Sequence, residues 1–132
     1  MKRAEGWAGL VPTGFRFGVV GLTASGVHLA AASLAIAAGM EVLHANSIAF
    51  VTALIVSLVG HHTFSFGGRT SFWRGAGRFI PGAAVAFVAN NLVLAALVAL
   101  TGETILWLKV ALAILVIPPV TFAYAYFFAY RN

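Results

Sequence analysis

Four long apolar stretches divide this chain, and each is long enough to cross a lipid bilayer as a helix. The hydrocarbon core of a bilayer is roughly 30 Å thick and needs about 20 apolar residues in a helix. Only 8% of the 132 residues are charged and 61% are apolar, which is too little charge to cover the surface of a soluble domain. The sequence therefore predicts an all-α membrane protein that forms one domain over residues 1–132, with four transmembrane helices at about 17–39, 46–66, 79–101 and 105–130.

The basic residues lie almost entirely on one side of these four spans. Because cytoplasmic loops carry an excess of Lys and Arg, we expect both termini and the long middle connection in the cytoplasm, and a multi-pass protein of the inner (cytoplasmic) membrane. The net charge of +5 then sets the orientation in the membrane, and we expect no nucleic-acid partner. Seven basic residues fall on the cytoplasmic side, and only Lys109 falls near the other: Lys2, Arg3, Arg16, Arg69, Arg74, Arg78 and Arg131.

The chain reads as two copies of one helical hairpin. Arg16 and Phe17 recur as Arg78 and Phe79, 62 residues later. Two hairpins that enter and leave the membrane on the same side are parallel repeats, related by an axis along the membrane normal. The alternative is chance similarity between apolar helices. The further matches are His28 with Asn90 at the same offset and, at an offset of 64 residues, Ser57 with Thr121, Phe64 with Phe128 and Phe66 with Tyr130.

These residues resemble the GtrA-like family of small four-span membrane proteins over residues 14–131. The resemblance implies a role in cell-surface polysaccharide synthesis, in which members translocate polyprenyl-phosphate-linked monosaccharides from the cytoplasmic to the outer leaflet. The alternative role is that of a non-transporting anchor or accessory partner of a membrane glycosyltransferase. The residues that carry the resemblance lie at the start of the first span (Arg16, Phe17, Gly21), the end of the second span (Ser57, Gly60, His61, Phe64, Ser65, Phe66), the start of the third span (Arg78, Phe79) and the aromatic end of the fourth span (Phe127, Phe128, Tyr130, Arg131).

Three polar residues fall near the middle of predicted spans. They are His28 in the first span, and Asn90 and Asn91 in the third. Polar groups at this depth usually face the protein interior or a wet cavity. One interpretation is a set of hydrogen-bonding groups for a sugar or headgroup that crosses the membrane. The other is interhelical hydrogen bonding, which contributes about 0.6 kcal/mol per bond on average.

A second set of candidate substrate-binding residues lies at the predicted cytoplasmic edge. A polyprenyl phosphate presents its anion at this depth, where the guanidinium fork of arginine matches phosphate oxygens and histidine donates hydrogen bonds or takes up a proton. The alternative for these side chains is contact with lipid headgroups and a role in orientation. The set comprises Arg16, His61, His62, Arg78 and Arg131.

The sequence also excludes several functions. The chain has no cysteine, and adjacent residues on a helix point about 100° apart, so His61 and His62 cannot easily share one metal ion. No nucleophile–base pair, acid pair or phosphate-binding glycine loop occurs, and we expect no enzyme activity and no cofactor. A four-span multidrug exporter needs a carboxylate in its first span, which this chain lacks.

Two features concern assembly and helix shape. Four helices enclose little room for a polar sugar, so we expect a homodimer or larger assembly with the pathway near its interface. Pro118 and Pro119 fall inside the fourth predicted span, where proline removes a backbone donor and breaks or bends a helix. Pro81 is expected in the first turn of the third span, where proline is tolerated.

Overall fold

The structure is a computed structural model that describes residues 2–65 and 71–124, and all regular secondary structure in these residues is helical. Three helices are long and apolar enough to cross a membrane, and a shorter apolar helical segment, Leu106–Thr121, follows them. The prediction of an all-helical membrane fold is thereby confirmed. In chain order the helices are α1 (Lys2–Ala37), α2 (Val42–Gly60) with a π-helical turn at His61–Ser65, α3 (Phe72–Thr101), α4 (Leu106–Ile114) and α5 (Ile117–Tyr124).

The fourth predicted span is divided into α4 and α5. At the break, the N–H groups of Leu115 and Val116 donate to carbonyls only three residues earlier, at 3.2 Å each. Pro118 and Pro119 follow in the first turn of α5, and neither has an N–H to continue the α-helical ladder. The predicted interruption by this proline pair is confirmed, whereas the predicted end of the span at residue 130 lies outside the described residues.

The helices begin earlier than the predicted spans. Helix α1 begins at Lys2, α2 at Val42 and α3 at Phe72, instead of residues 17, 46 and 79. The long connection predicted for residues 67–78 is therefore helical from Phe72 onward. Hydropathy locates the segment inside hydrocarbon, and a helix continues past that segment because its backbone hydrogen bonds do not depend on the surrounding solvent. The expectation for Pro81 was wrong for this reason, since Pro81 lies well inside α3.

The helices pack in a cyclic order. Helix α1 contacts α2 and α4, and α3 contacts α2, α4 and α5. Alanines dominate the buried positions of the core, and small residues let helix backbones approach closely where no hydrophobic effect drives association. The core cluster is Ala32 of α1, Val42 and Ala49 of α2, Leu94 of α3, and Val110, Ala113 and Ile114 of α4.

Each hairpin contains one contact in which a large side chain sits on a glycine. In the first hairpin, a Cβ added at Gly60 of α2 would lie 2.8 Å from Val20 Cγ1 of α1. In the second hairpin, a Cβ added at Gly82 of α3 would meet the ring of Tyr124 of α5 even more closely. Val20 and Gly82 are 62 residues apart, and Gly60 and Tyr124 are 64 apart, which are the offsets of the sequence repeat. The same interhelical contact thus occurs twice, with the large and small residues exchanged.

Candidate functional site

A buried group of polar side chains joins α1, α2 and α3. Nε2 of His28 lies 2.8 Å from Oδ1 of Asn46. The amide nitrogen of Asn46 donates to Oδ1 of Asn90 at 2.7 Å and to Oδ1 of Asn91 at 2.9 Å. His28 is 1% exposed, and Asn46 and Asn90 are fully buried. We call His28, Asn46, Ser47, Asn90 and Asn91 the polar cluster.

The hydrogen bonds of the polar cluster determine which of its groups donate and which accept. Because the amide of Asn46 donates to two carbonyl oxygens, its own oxygen faces His28, whose Nε2 then carries the proton as donor. Nδ2 of Asn91 lies 3.5 Å from Oγ of Ser47, and that hydroxyl donates to the carbonyl of Leu43 at 2.7 Å. Nδ2 of Asn90 is buried without a hydrogen-bond partner. Asn46 is therefore the centre of the cluster, and Asn90 is its least satisfied member.

Sequence reasoning missed Asn46 and Ser47. They fell at the predicted boundary of the second span, where polar residues usually mark contact with water. The structure instead begins α2 at Val42, and the carboxylate of Glu41 caps it by accepting from the N–H groups of Leu43 (3.0 Å) and His44 (3.1 Å). The sequence signal that could have located Asn46 is this acidic cap, because a Glu41 cap predicts a helix that begins at Val42. Asn46 then lies in the second turn of the helix instead of at its start.

Glu41 is exposed at the same helix terminus and lies outside the candidate spans. The two N–H bonds lower the pKa of Glu41 below its ordinary value, because hydrogen bonding to a carboxylate favours its charged form. Nδ1 of His44 also lies 2.8 Å from Oε2 of Glu41. A negative charge at a helix N-terminus also interacts favourably with the helix dipole, so Glu41 fixes the start of α2.

The C-terminal end of α3 is in contact with a buried cation from α4. Lys109 of α4 is buried, and its Nζ donates to the carbonyl of Gly102 at the end of α3. From the sequence, Lys109 was counted as the one basic residue near the non-cytoplasmic side and was given no other role. In the structure its ammonium satisfies a terminal carbonyl, which is a favourable position for a cation, and it joins α4 to α3.

His61 is buried among aromatic rings. Its ring stacks on Phe17 of α1 with centroids 4.2 Å apart and planes 18° apart, and Phe79 of α3 lies 5.7 Å away. Phe17 and Phe79 are equivalent positions of the sequence repeat. With 7% of its surface exposed, His61 packs between α1 and α3.

The other predicted edge residues are more exposed. The ring of His62 contacts Phe72 edge-on at 5.4 Å, so the two adjacent histidines have different neighbours. The guanidinium of Arg16 lies 5.5 Å from the ring centre of Phe64, within the range of a cation–π interaction. Arg78 is exposed, and Arg131 lies outside the described residues. Within residues 2–65 and 71–124, no three side chains of His, Asp or Glu form a metal-binding group.

A cavity of about 100 Å³ lies inside the bundle between His28 and His61. Its lining follows α1 from Phe17 to His28 and α2 from Phe50 to His61, which is roughly 16 Å along each helix. We call it the central cavity. Most of its lining is apolar or aromatic. Ten of its lining residues form five pairs at the repeat offsets of 62 or 64 residues: Phe17 with Phe79, Gly21 with Ala83, Ala53 with Ile117, Leu54 with Pro118, and Ser57 with Thr121.

Comparison with known proteins identifies the family. The family model described as "GtrA/DPMS, transmembrane domain" matches residues 16–130. Neither the curated proteins nor the solved structures contain a match to the chain. The matched residues include the polar cluster, the central cavity and the described edge residues. The chain belongs to the GtrA/DPMS transmembrane domain family, which is associated with the synthesis and translocation of polyprenyl-linked sugars.

Proposed function

We propose that the protein translocates a polyprenyl-phosphate-linked monosaccharide across the cytoplasmic membrane for the synthesis of a cell-surface polysaccharide. The observation that carries the proposal is the buried polar cluster, which places an imidazole and three amides inside a largely apolar bundle. Such groups are costly within a membrane and usually serve a substrate pathway or helix association. In a family associated with polyprenyl-linked sugars, amides and imidazole are suitable partners for sugar hydroxyls.

The phosphate would bind at the cytoplasmic edge of the bundle. Arg16 and Arg78 are exposed there and stay charged at every relevant pH. His62 and Arg131 complete the proposed set. Arg16 lies against Phe64, which holds its guanidinium near the end of α2. The positive-inside rule supports an orientation with both termini in the cytoplasm, and the exchanged Val20–Gly60 and Gly82–Tyr124 contacts support the parallel repeat.

The size of the central cavity bears on assembly. An apolar cavity of about 150 Å³ holds benzene, which has six carbon atoms. A monosaccharide has about twice as many non-hydrogen atoms, so a cavity of about 100 Å³ cannot enclose it. We therefore propose a homodimer or larger assembly in which the sugar passes near the interface between copies.

A second candidate function is supported by the closed arrangement of the polar cluster. Asn46 uses both amide hydrogens and its oxygen within the bundle. Apart from Nδ2 of Asn90, the described hydrogen bonds satisfy the cluster internally, and such a cluster serves helix association without any substrate. This favours the non-transporting role, in which the protein anchors or assists a membrane glycosyltransferase. Neither candidate function requires the chain to perform catalysis.

Leaflet exchange in liposomes distinguishes the two functions. Purified protein should accelerate the exchange of a polyprenyl-phosphate monosaccharide between leaflets relative to empty liposomes. Arg16→Ala and Arg78→Ala should slow this exchange, because each removes a phosphate-binding charge. Arg74→Ala is the matched control, since Arg74 is also exposed on α3 but lies outside the candidate phosphate-binding set. Exchange no faster than in empty liposomes would refute transport, and recovery of a glycosyltransferase with the protein from native membranes would then support the accessory role.

A further inference from the structure

The central cavity has a shape that the translocation of a sugar does not explain. It begins at His61, near the cytoplasmic edge, and ends at His28, whose ring is held by Asn46. Phe17, Phe79 and Leu54 form part of its wall, and ten of its fifteen lining residues are apolar. A cavity whose lining is mainly apolar favours apolar ligands. Its ligand is therefore a small apolar group rather than a sugar.

The volume limits the size of this group. By comparison with benzene, whose six carbon atoms fit an apolar cavity of about 150 Å³, a cavity of about 100 Å³ accepts about four carbon atoms, which is most of a five-carbon isoprene unit. One end of the cavity is lined by Phe17 and His61, which are the chain neighbours of Arg16 and His62. A lipid whose phosphate lies at those residues directs the first carbons of its tail inward, along the direction in which the cavity extends.

We infer that the central cavity binds the isoprene unit nearest the phosphate of a prenyl-phosphate lipid, with the rest of the tail remaining in the bilayer. This inference rests on the proposed function for the class of lipid. The double bond of an isoprene unit removes torsional freedom, so confining the unit costs less entropy than confining a saturated segment of equal size. The cavity thereby selects prenyl phosphates over lipids with straight saturated chains.

Binding of two lipids with equal numbers of carbon atoms tests the inference. Geranyl phosphate and n-decyl phosphate carry the same charged group on a branched unsaturated and a straight saturated chain. In nanodiscs, we measure the ratio of the affinity for geranyl phosphate to the affinity for n-decyl phosphate. This ratio should be about tenfold higher for the wild-type protein than for a variant with a filled cavity. A factor of ten corresponds to about 1.4 kcal/mol, which is comparable to the entropy cost of immobilising one flexible group.

The filled variants are Ala53→Leu on α2 and Ala83→Leu on α3, because both alanines line the cavity. Ala84→Leu is the matched control, since Ala84 is the neighbour of Ala83 and is exposed. The control should keep the wild-type preference and the filled variants should lose it. The same preference in wild type and filled variants overturns the inference and leaves the proposed function standing. Failure of wild type to bind either phosphate overturns both.

A measurement on the unmodified protein covers the case in which a filled variant does not fold. A geranyl phosphate analogue with a photoreactive diazirine on its first isoprene unit should label residues of the cavity wall, such as Ile117 or Leu54, after illumination in nanodiscs. The label should be displaced by excess geranyl phosphate. Labelling confined to exposed residues of the outer helix faces overturns the inference.

Discussion

The contact between Gly60 and Val20 allows a direct test of the packing of the first hairpin. The substitution Gly60→Ala would place a Cβ 2.8 Å from Cγ1 and 3.2 Å from Cγ2 of Val20. Valine in a helix has one strongly preferred χ1 rotamer, so its methyl groups cannot rotate away at little cost. The helices must separate instead, and overpacking of this kind costs about 1–3 kcal/mol.

A matched glycine separates this cost from the effect of helix propensity. Gly26 lies within α1, and a Cβ added there meets nothing within 4 Å. Replacing glycine by alanine in a helix interior gains up to about 1 kcal/mol. Gly26→Ala should therefore stabilise the protein or leave its stability unchanged. The free energy of unfolding of Gly60→Ala should be lower than that of Gly26→Ala by about 1–3 kcal/mol.

A double-mutant cycle then assigns the cost to Val20. In the variant Val20→Ala/Gly60→Ala, the new methyl group occupies space that the valine vacated, so the two substitutions should show a favourable coupling of about 1–3 kcal/mol. The assay is reversible unfolding in mixed micelles, followed by circular dichroism. A coupling indistinguishable from zero, or a Gly60→Ala variant as stable as Gly26→Ala, would refute the packing argument.

Two further predictions concern the polar cluster and the start of α2. Asn46→Leu should cost about 2 kcal/mol of unfolding free energy, since it removes three hydrogen bonds of about 0.6 kcal/mol each. Asn90→Leu should cost less, because it removes one bond together with an unpartnered Nδ2; equal costs would contradict the central role of Asn46. The lowered pKa of Glu41 means that its stabilisation is present above the ordinary pKa of 4.5 and is lost as the pH falls through the pKa of the folded state. The melting temperature of wild type should therefore fall more steeply below pH 4.5 than that of Glu41→Gln, and parallel curves would contradict the capping interaction.

Hydropathy and proline chemistry account for what the sequence could predict of the fold. The apolar runs have the length that hydrocarbon requires, so the number and order of the helices followed from them. Pro118 and Pro119 cannot continue a hydrogen-bonded ladder, so the division of the fourth span followed as well. The starts of α2 and α3 did not follow, because a helix extends beyond the apolar run into segments such as residues 72–78.

The candidate site was harder to predict for a related reason. From the sequence, the depth of a residue in the membrane is measured from the ends of the apolar run that contains it. A polar residue near such an end is then taken as the end of the span. Residue 46 therefore became the approximate start of the second predicted span and Asn46 was given no role, although α2 begins four residues earlier, at Val42. The burial of His61 depends on Phe17 and Phe79 from two other helices, and no local pattern around His61 reports that contact. His28, Asn90 and Asn91 were singled out correctly as polar residues inside spans, and their joint bonding to Asn46 emerged only from the fold.

The exchanged contacts have a consequence for how the two halves of the chain relate. At Val20–Gly60 and at Gly82–Tyr124, each hairpin joins one side chain with substantial volume to one with none. The helix carrying the bulk differs between the halves, so the residues at equivalent positions look unrelated when compared one by one. In both hairpins, a side chain from only one of the two helices fills the space between them, and the facing residue is glycine. The similarity of these two contacts is therefore seen by adding side-chain volumes across each contact, and residue identity at single positions conceals it.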